Sequence, residues 1–152
     1  MKTIGISFFA KRHGDFILQD LLYGVPIENF HWSIGTCHLY SNALNETRFD
    51  EVYYTGNDFN EMVYQKTHRY FIQFADFKAF HSKDNIIIIT TIEEYLNSDC
   101  QIALFIIDID EICIYSKDLK ILQQIETNAQ NKGYVEIEYF TKETNPLTGM
   151  NL

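Results

Sequence analysis

The sequence predicts an α+β fold, a single, mostly antiparallel sheet of about five to six strands with helices packed on one side. Three observations carry this expectation. Short runs rich in β-branched and aromatic residues recur along the chain. Two apolar runs, Cys100 to Ile107 and Ile112 to Tyr115, flank the polar stretch Asp108-Ile109-Asp110-Glu111 at a spacing suited to a hairpin with a loop of about four residues. One segment of clear helical period then runs from Asp118, a capping residue, to Gly133, a left-handed stop.

The elements follow in order. Thr3 to Phe9 reads as the first strand. Gly14-Asp15 supplies a turn and a cap for a helix through Phe16, Leu18, Leu21 and Leu22, which Gly24-Val25-Pro26 ends. Phe30, Trp32 and Ile34 alternate as a half-buried strand does, and Gly35 punctuates a turn before Cys37 to Tyr40, which predicts a short hairpin. From Ser41 to Asn60 turn formers dominate; Val52-Tyr53-Tyr54 is a brief strand, and a helix is expected near Phe59 to Lys66.

Tyr70 to Phe80 pulls two ways. Phe71, Phe74, Phe77 and Phe80 recur at helical spacing, but Tyr70, Phe71, Ile72 and Phe74 are strong strand formers, and a strand buried on both faces reads as a nearly continuous apolar run. Strand is the expectation. Thr91-Ile92-Glu93-Glu94 is a capping box that starts a short helix from Ile92 to Asn97. Leu119, Leu122, Ile125 and Ala129 give the last helix its apolar face, and Tyr134 to Phe140 alternates as a final strand with one wet face. Thr141 to Leu152 reads as a flexible tail on a single globular domain spanning 1–152. With the hairpin centred between Ile109 and Asp110, Cys113 falls opposite Ile106, so a Cys100–Cys113 disulfide is not expected.

Composition limits the function classes. The chain has 152 residues, 46% of them hydrophobic and 22% charged, and folding a chain of this mass removes roughly 70% of its unfolded surface from water, which supports a core without metal or disulfide staples. The net charge of −9 repels phosphate backbones and anionic headgroups, so neither nucleic acid nor a membrane surface is an expected partner. Ile86 to Ile89 and Ile102 to Ile107 are far shorter than the roughly 20 residues of a spanning helix. Three cysteines without close pairing and no convincing secretory signal point to the cytoplasm, and there the glycosylation sequon at Asn45 to Thr47 carries no meaning.

Several constellations bear chemistry. Asp108 and Asp110 stand at i and i+2 at a strand end, where two carboxylates about 6 to 7 Å apart on one face could hold a divalent ion; a solvated hairpin loop is the plain alternative. His31, Cys37 and His38 would meet as zinc ligands or a Cys–His nucleophile pair if the chain turned at Gly35; a core thiol with surface imidazoles is the alternative. Lys11-Arg12-His13-Gly14 before a helix, and the Lys66, His68, Arg69 cluster, could each receive an anion. Ten Tyr and twelve Phe exceed the needs of so small a core, so Tyr53, Tyr54, Tyr64, Tyr70 and Tyr139 are candidates for an exposed binding patch, or else cover sheet edges with only their hydroxyls wet.

Gly5-Ile6-Ser7-Phe8, Phe74-Ala75-Asp76-Phe77-Lys78-Ala79-Phe80, Leu96-Asn97-Ser98-Asp99-Cys100 and Ile114-Tyr115-Ser116-Lys117-Asp118 resemble a family of proteins of this length from spore-forming Gram-positive bacteria, the domain of unknown function 2691. The resemblance covers nearly the whole chain and implies a bacterial cytoplasmic protein, without assigning a catalytic or binding residue.

Charge, tyrosine content and the lack of a complete catalytic constellation together favour a non-enzymatic binding or accessory protein, monomeric or homodimeric. Its acidic, aromatic surface would recognise a protein partner, a basic one being the best match to the charge, as small acidic immunity proteins do; no cofactor is expected. The rival is a small metal-dependent hydrolase or phosphotransferase using Asp108 and Asp110 with His31 or His81 as acid/base.

Overall fold

A computed structural model describes residues 1–11, 16–41, 49, 51–65 and 70–152, with backbone only at Ser41 and Tyr70. Seven strands form one antiparallel sheet: β1 (Thr3–Phe9), β2 (His31–Ser41), β3 (Tyr53–Tyr54), β4 (Tyr70–Phe80), β5 (Cys100–Ile107), β6 (Glu111–Ser116) and β7 (Val135–Thr141). Their order across the sheet is β3-β2-β4-β5-β6-β1-β7. The fold class is therefore α+β as the sequence predicts, with one or two strands more than expected.

The helices are α1 (Ile17–Leu22), α2 (Gly56–Val63), α3 (Ile92–Asn97) and α4 (Leu119–Asn131). Three of the starts have a local cause among the described residues, and the Gly14-Asp15 turn and cap expected before α1 lie outside them. The Thr55 hydroxyl accepts from the Asp58 amide at α2, Thr91 from the Glu94 amide at α3, and the Asp118 carboxylate from the Lys120 amide at α4. Because Thr55 caps it, α2 begins before Phe59 and places Phe59, Met62 and Val63 on its buried side. Gly133, at φ 71°, stops α4 in the left-handed region.

The sheet carries a core on each face. On the first, α1, α2 and α4 pack against Ile6, Phe8, Trp32, Phe77, Leu104 and Ile114. The Trp32 indole stacks on Phe59 with centroids 4.0 Å apart, and its Nε1–H donates to the Ile27 carbonyl at 2.9 Å, so its one polar atom is satisfied in the core. On the second face, Phe80, Phe105, Cys113, Tyr115 and Phe140 gather with Tyr95 of α3, so α3 sits apart from the three other helices. Gly5 makes room there: a Cβ at that position would come 2.2 Å from the Phe140 ring.

Three local expectations need correction. β2 runs straight through Gly35; Ile34 pairs with Phe77 and Cys37 with Ala75, so one extra residue is absorbed as a β-bulge where the sequence predicts a hairpin turn. β5 and β6 are joined by three residues, and Cys113 lies opposite Phe105, one residue off the predicted register. Residues 142–152 do not trail off as a tail. Asn145 accepts a hydrogen bond from the Tyr115 hydroxyl, the Met150 amide donates to the Thr90 carbonyl at 2.9 Å, and Met150 is buried in the second core. The segment covers a sheet face that would otherwise be wet.

Candidate functional site

The Asp108–Asp110 turn is strained. Asp108 has φ 47° and Ile109 φ 79°, and the Asp110 amide donates back to the Asp108 carbonyl at 3.0 Å, so Ile109 centres a three-residue turn of a kind rarely tolerated by a β-branched side chain. Both carboxylates are exposed. Asp110 borders a shallow groove with Phe9, Lys11, Val135 and Glu136; Asp108 does not line it. The proposed acid/base partners are elsewhere. His31 pairs with Phe80 and His81 follows Phe80, at the Cys100 end of β5, whereas Asp108 follows the other end, roughly 26 Å away at about 3.3 Å per residue. Among the described residues, no group of three or more His, Cys, Asp or Glu is placed to hold a metal ion.

His31 and Cys37 are likewise held apart. They lie on one continuous strand about six residues from each other, roughly 20 Å in extended chain. His31 Nδ1 shares a hydrogen bond with the Tyr53 hydroxyl at 2.8 Å, and His38 meets the edge of Phe74. Cys37 packs against the first core, where burial pushes its thiol up to about 11, and burial pushes Cys100 and Cys113 up to about 12. Such thiols are poor nucleophiles. Arg12, His13 and Gly14 of the first basic cluster, all of the Lys66, His68, Arg69 cluster, and the Asn45 sequon lie outside the described residues, as does the side chain of Tyr70.

Among the described residues, the candidate tyrosines do not make one patch. Tyr53 and Tyr54 are on β3 and Tyr139 is on β7, at opposite edges of the sheet, six strand spacings or roughly 29 Å apart. Tyr54 is 8% exposed, which corrects the expectation that its ring faces solvent. The Tyr64 hydroxyl donates to the Leu22 carbonyl at 3.4 Å, and the Tyr139 hydroxyl donates to Glu126 at 3.0 Å. Burial, together with the Glu126 hydrogen bond, pushes the Tyr139 phenol up to about 12. Tyr23 and Tyr40, which the sequence does not single out, are more exposed than any of these.

Around β3 the geometry does gather acid and aromatic groups. A groove of about 270 Å³ is bordered, among the described residues, by Glu51, Asp58, Glu61, Tyr53, Tyr54, Met62 and Gln65. β3 supplies the rings, the first turns of α2 supply Asp58 and Glu61, and the Glu51 amide donates to the Tyr54 hydroxyl at 3.2 Å. The Tyr53 ring also meets a cation: Lys83 Nζ lies 4.6 Å from its centroid, a cation–π contact.

A second groove, of about 450 Å³, opens on the other face of the sheet beside the β2 bulge. Its floor holds Asp76 and Lys78 of β4, an ion pair at 2.5 Å buried to 3% and 9% side-chain exposure. The Lys78 ammonium also lies 5.0 Å from the Phe105 ring centroid. The bulge brings Gly35 against Asp76, where a Cβ would approach the carboxylate to 3.1 Å. Charges at i and i+2 within an apolar strand share one face, and this was the sequence signal available for the pair.

Comparison with known proteins gives a lineage and no chemistry. No solved structure matches the chain significantly. It is 26% identical over 152 residues to the uncharacterized protein YncE of Bacillus subtilis strain 168, covering 97% of this chain and 98% of that protein. A profile for a protein of unknown function, DUF2691, matches residues 3–151, and the chain therefore belongs to that family, the domain of unknown function 2691.

Proposed function

We propose that the protein is a non-enzymatic binding or accessory module of the bacterial cytoplasm that recognises a basic protein partner through the groove at β3. The observation that carries this reading is the lining of that groove, which among the described residues brings the carboxylates of Glu51, Asp58 and Glu61 beside Tyr53 and Tyr54. A field of net charge −9 would speed encounter with a cationic partner, and the half-buried Tyr53 ring gives contact area at low entropic cost. The Lys83–Tyr53 contact supports the same chemistry, since it already places an ammonium against this aromatic surface. The three free cysteines, buried or half-buried, suit a reducing compartment. No helix among the described residues is long and apolar enough to cross a membrane.

The test is affinity capture on the immobilised full chain, eluted by a rising salt gradient and compared with the Glu51→Gln, Asp58→Asn, Glu61→Gln triple variant. A basic protein retained in stoichiometric amount, leaving at moderate salt and lost from the variant, is the expected result. Retention indifferent to both salt and the triple substitution, or no specific retention, overturns the reading.

A further inference from the structure

The groove beside the β2 bulge already holds a piece of main chain. Asp76 divides its two oxygens: Oδ1 takes the Lys78 ammonium at 2.5 Å and Oδ2 accepts the Leu152 amide at 3.0 Å. The Thr36 hydroxyl donates to the Leu152 main-chain oxygen at 2.7 Å. One residue's backbone N–H and main-chain oxygen are thus both gripped by side chains, from β4 and β2. Beside it stands an apolar wall, Ile86 to Ile89, in which Ile88 is 83% exposed. The Leu152 side chain is itself 42% exposed, and the groove stays open alongside it.

We infer that this groove is a binding site for an extended, apolar peptide segment, gripped through its main chain by Asp76 and Thr36, with Asn151–Leu152 as the internal occupant that such a ligand displaces.

The chemistry selects this class of ligand. Lys78 and Asp76 neutralise each other, so neither a free anion nor a free cation gains a full charge by entering. What the pair offers is a buried carboxylate whose charge its partner balances, and an amide N–H bound to such an acceptor makes a charge-assisted hydrogen bond stronger than one between neutral groups. A main chain provides that donor together with an acceptor for Thr36, whatever its side chains. The isoleucine wall then favours apolar side chains, which lose water-exposed area on docking. A side chain at Gly35 would crowd the Asp76 carboxylate from the bulge, its Cβ standing 3.1 Å away. This site lies on a different part of the sheet from the acidic groove at β3 and stands or falls independently of it.

The experiment uses a fluorescein-labelled hexapeptide with the sequence of residues 147–152, Leu-Thr-Gly-Met-Asn-Leu, titrated by anisotropy against the full chain and against its Leu152→Pro variant. Proline removes the amide that Asp76 holds and so weakens the internal occupant. The variant is expected to bind the peptide about tenfold more tightly than the wild type, and Thr36→Val in the variant background to weaken binding about fivefold. A folded Leu152→Pro chain with no saturable binding, or affinities unaffected by both substitutions, overturns the inference. Should Leu152→Pro fail to fold, the same displacement is measured on the wild-type chain by NMR. The Leu152 amide resonance must move saturably with unlabelled peptide, and a resonance unmoved at millimolar peptide overturns the inference.

Discussion

Asn128 on α4 closes the end of α1 by donating from Nδ2 to the Leu21 carbonyl at 2.9 Å, and the same nitrogen donates to the Tyr23 carbonyl at 2.8 Å. The last carbonyls of a helix have no partner within it, and this buried amide supplies one across the core. Asn128→Ala strands those carbonyls and is expected to lower stability by about 2–3 kcal/mol. Asn128→Asp keeps the shape but cannot donate when ionised, so it should be at least as damaging at neutral pH and should recover as the solution is acidified. Urea melts at pH 7 and pH 4 separate the two variants.

Gly56 and Gly133 should respond differently to alanine. A Cβ at Gly56 would sit 1.9 Å from the Glu28 carbonyl oxygen and 2.7 Å from that of Phe30, both backbone atoms, whereas nothing lies within 4 Å of one at Gly133. Gly56→Ala is expected to cost about 3 kcal/mol or more, because the start of α2 must move. Gly133→Ala should cost only the strain of its left-handed φ, about 1 kcal/mol. Thermal unfolding followed by circular dichroism ranks them.

Buried thiols set an alkaline limit. With Cys37 at about 11 and Cys100 and Cys113 at about 12, against an ordinary value near 8.5, each binds its proton more tightly in the folded chain. Their contribution to stability is complete below about pH 8.5 and is lost as pH rises toward the folded-state values. Chemical denaturation should therefore show a falling midpoint between about pH 9 and 11. At pH 7.5 iodoacetamide should label native Cys37 roughly 100-fold more slowly than a free thiol, from the thiolate fractions that a rise from 9.0 to about 11 implies; labelling at the free-thiol rate would contradict its burial.

Breaking the ion pair on one side should hurt more than removing it. Lys78→Met leaves the Asp76 carboxylate buried without its countercharge, with an expected loss of about 3–5 kcal/mol. Adding Asp76→Asn to that variant restores a neutral floor that still accepts the Leu152 amide, and should recover part of the loss. A double-mutant cycle by denaturant titration measures the coupling.

The sequence announces what is local. α4 is legible because Asp118 and Gly133 bracket an apolar helical face, and α3 because Thr91 and Glu94 make a cap within three residues. β4 is legible as a strand because β-branched and aromatic propensity outweighs a chance spacing of phenylalanines. Gly35 is not, since a glycine between alternating residues signals a turn or a bulge alike, and only the Ile34–Phe77 and Cys37–Ala75 pairings decide. The docking of residues 142–152 is illegible for a similar reason: Thr90, Tyr115 and Asp76, which hold it, are distant in sequence. The two grooves combine residues from separate strands and loops, so sequence patterns could name Asp76 with Lys78, or Tyr53 with Tyr54, but not what they border.

The position of β1 governs how the sheet can be completed. The first strand pairs only with β6 and β7, so Phe9 waits for Glu111 and Val135 before it has a neighbour on either side. At about 5–20 residues per second of synthesis, roughly 5 to 20 s pass between the emergence of Phe9 and that of Glu111. Throughout that interval Ile4, Ile6 and Phe8 lack the strand partners beside which the folded chain buries them. Nucleation is then expected in the sequential β4-β5-β6 ribbon, with insertion of the amino-terminal strand as the late, slow step that non-local pairing imposes.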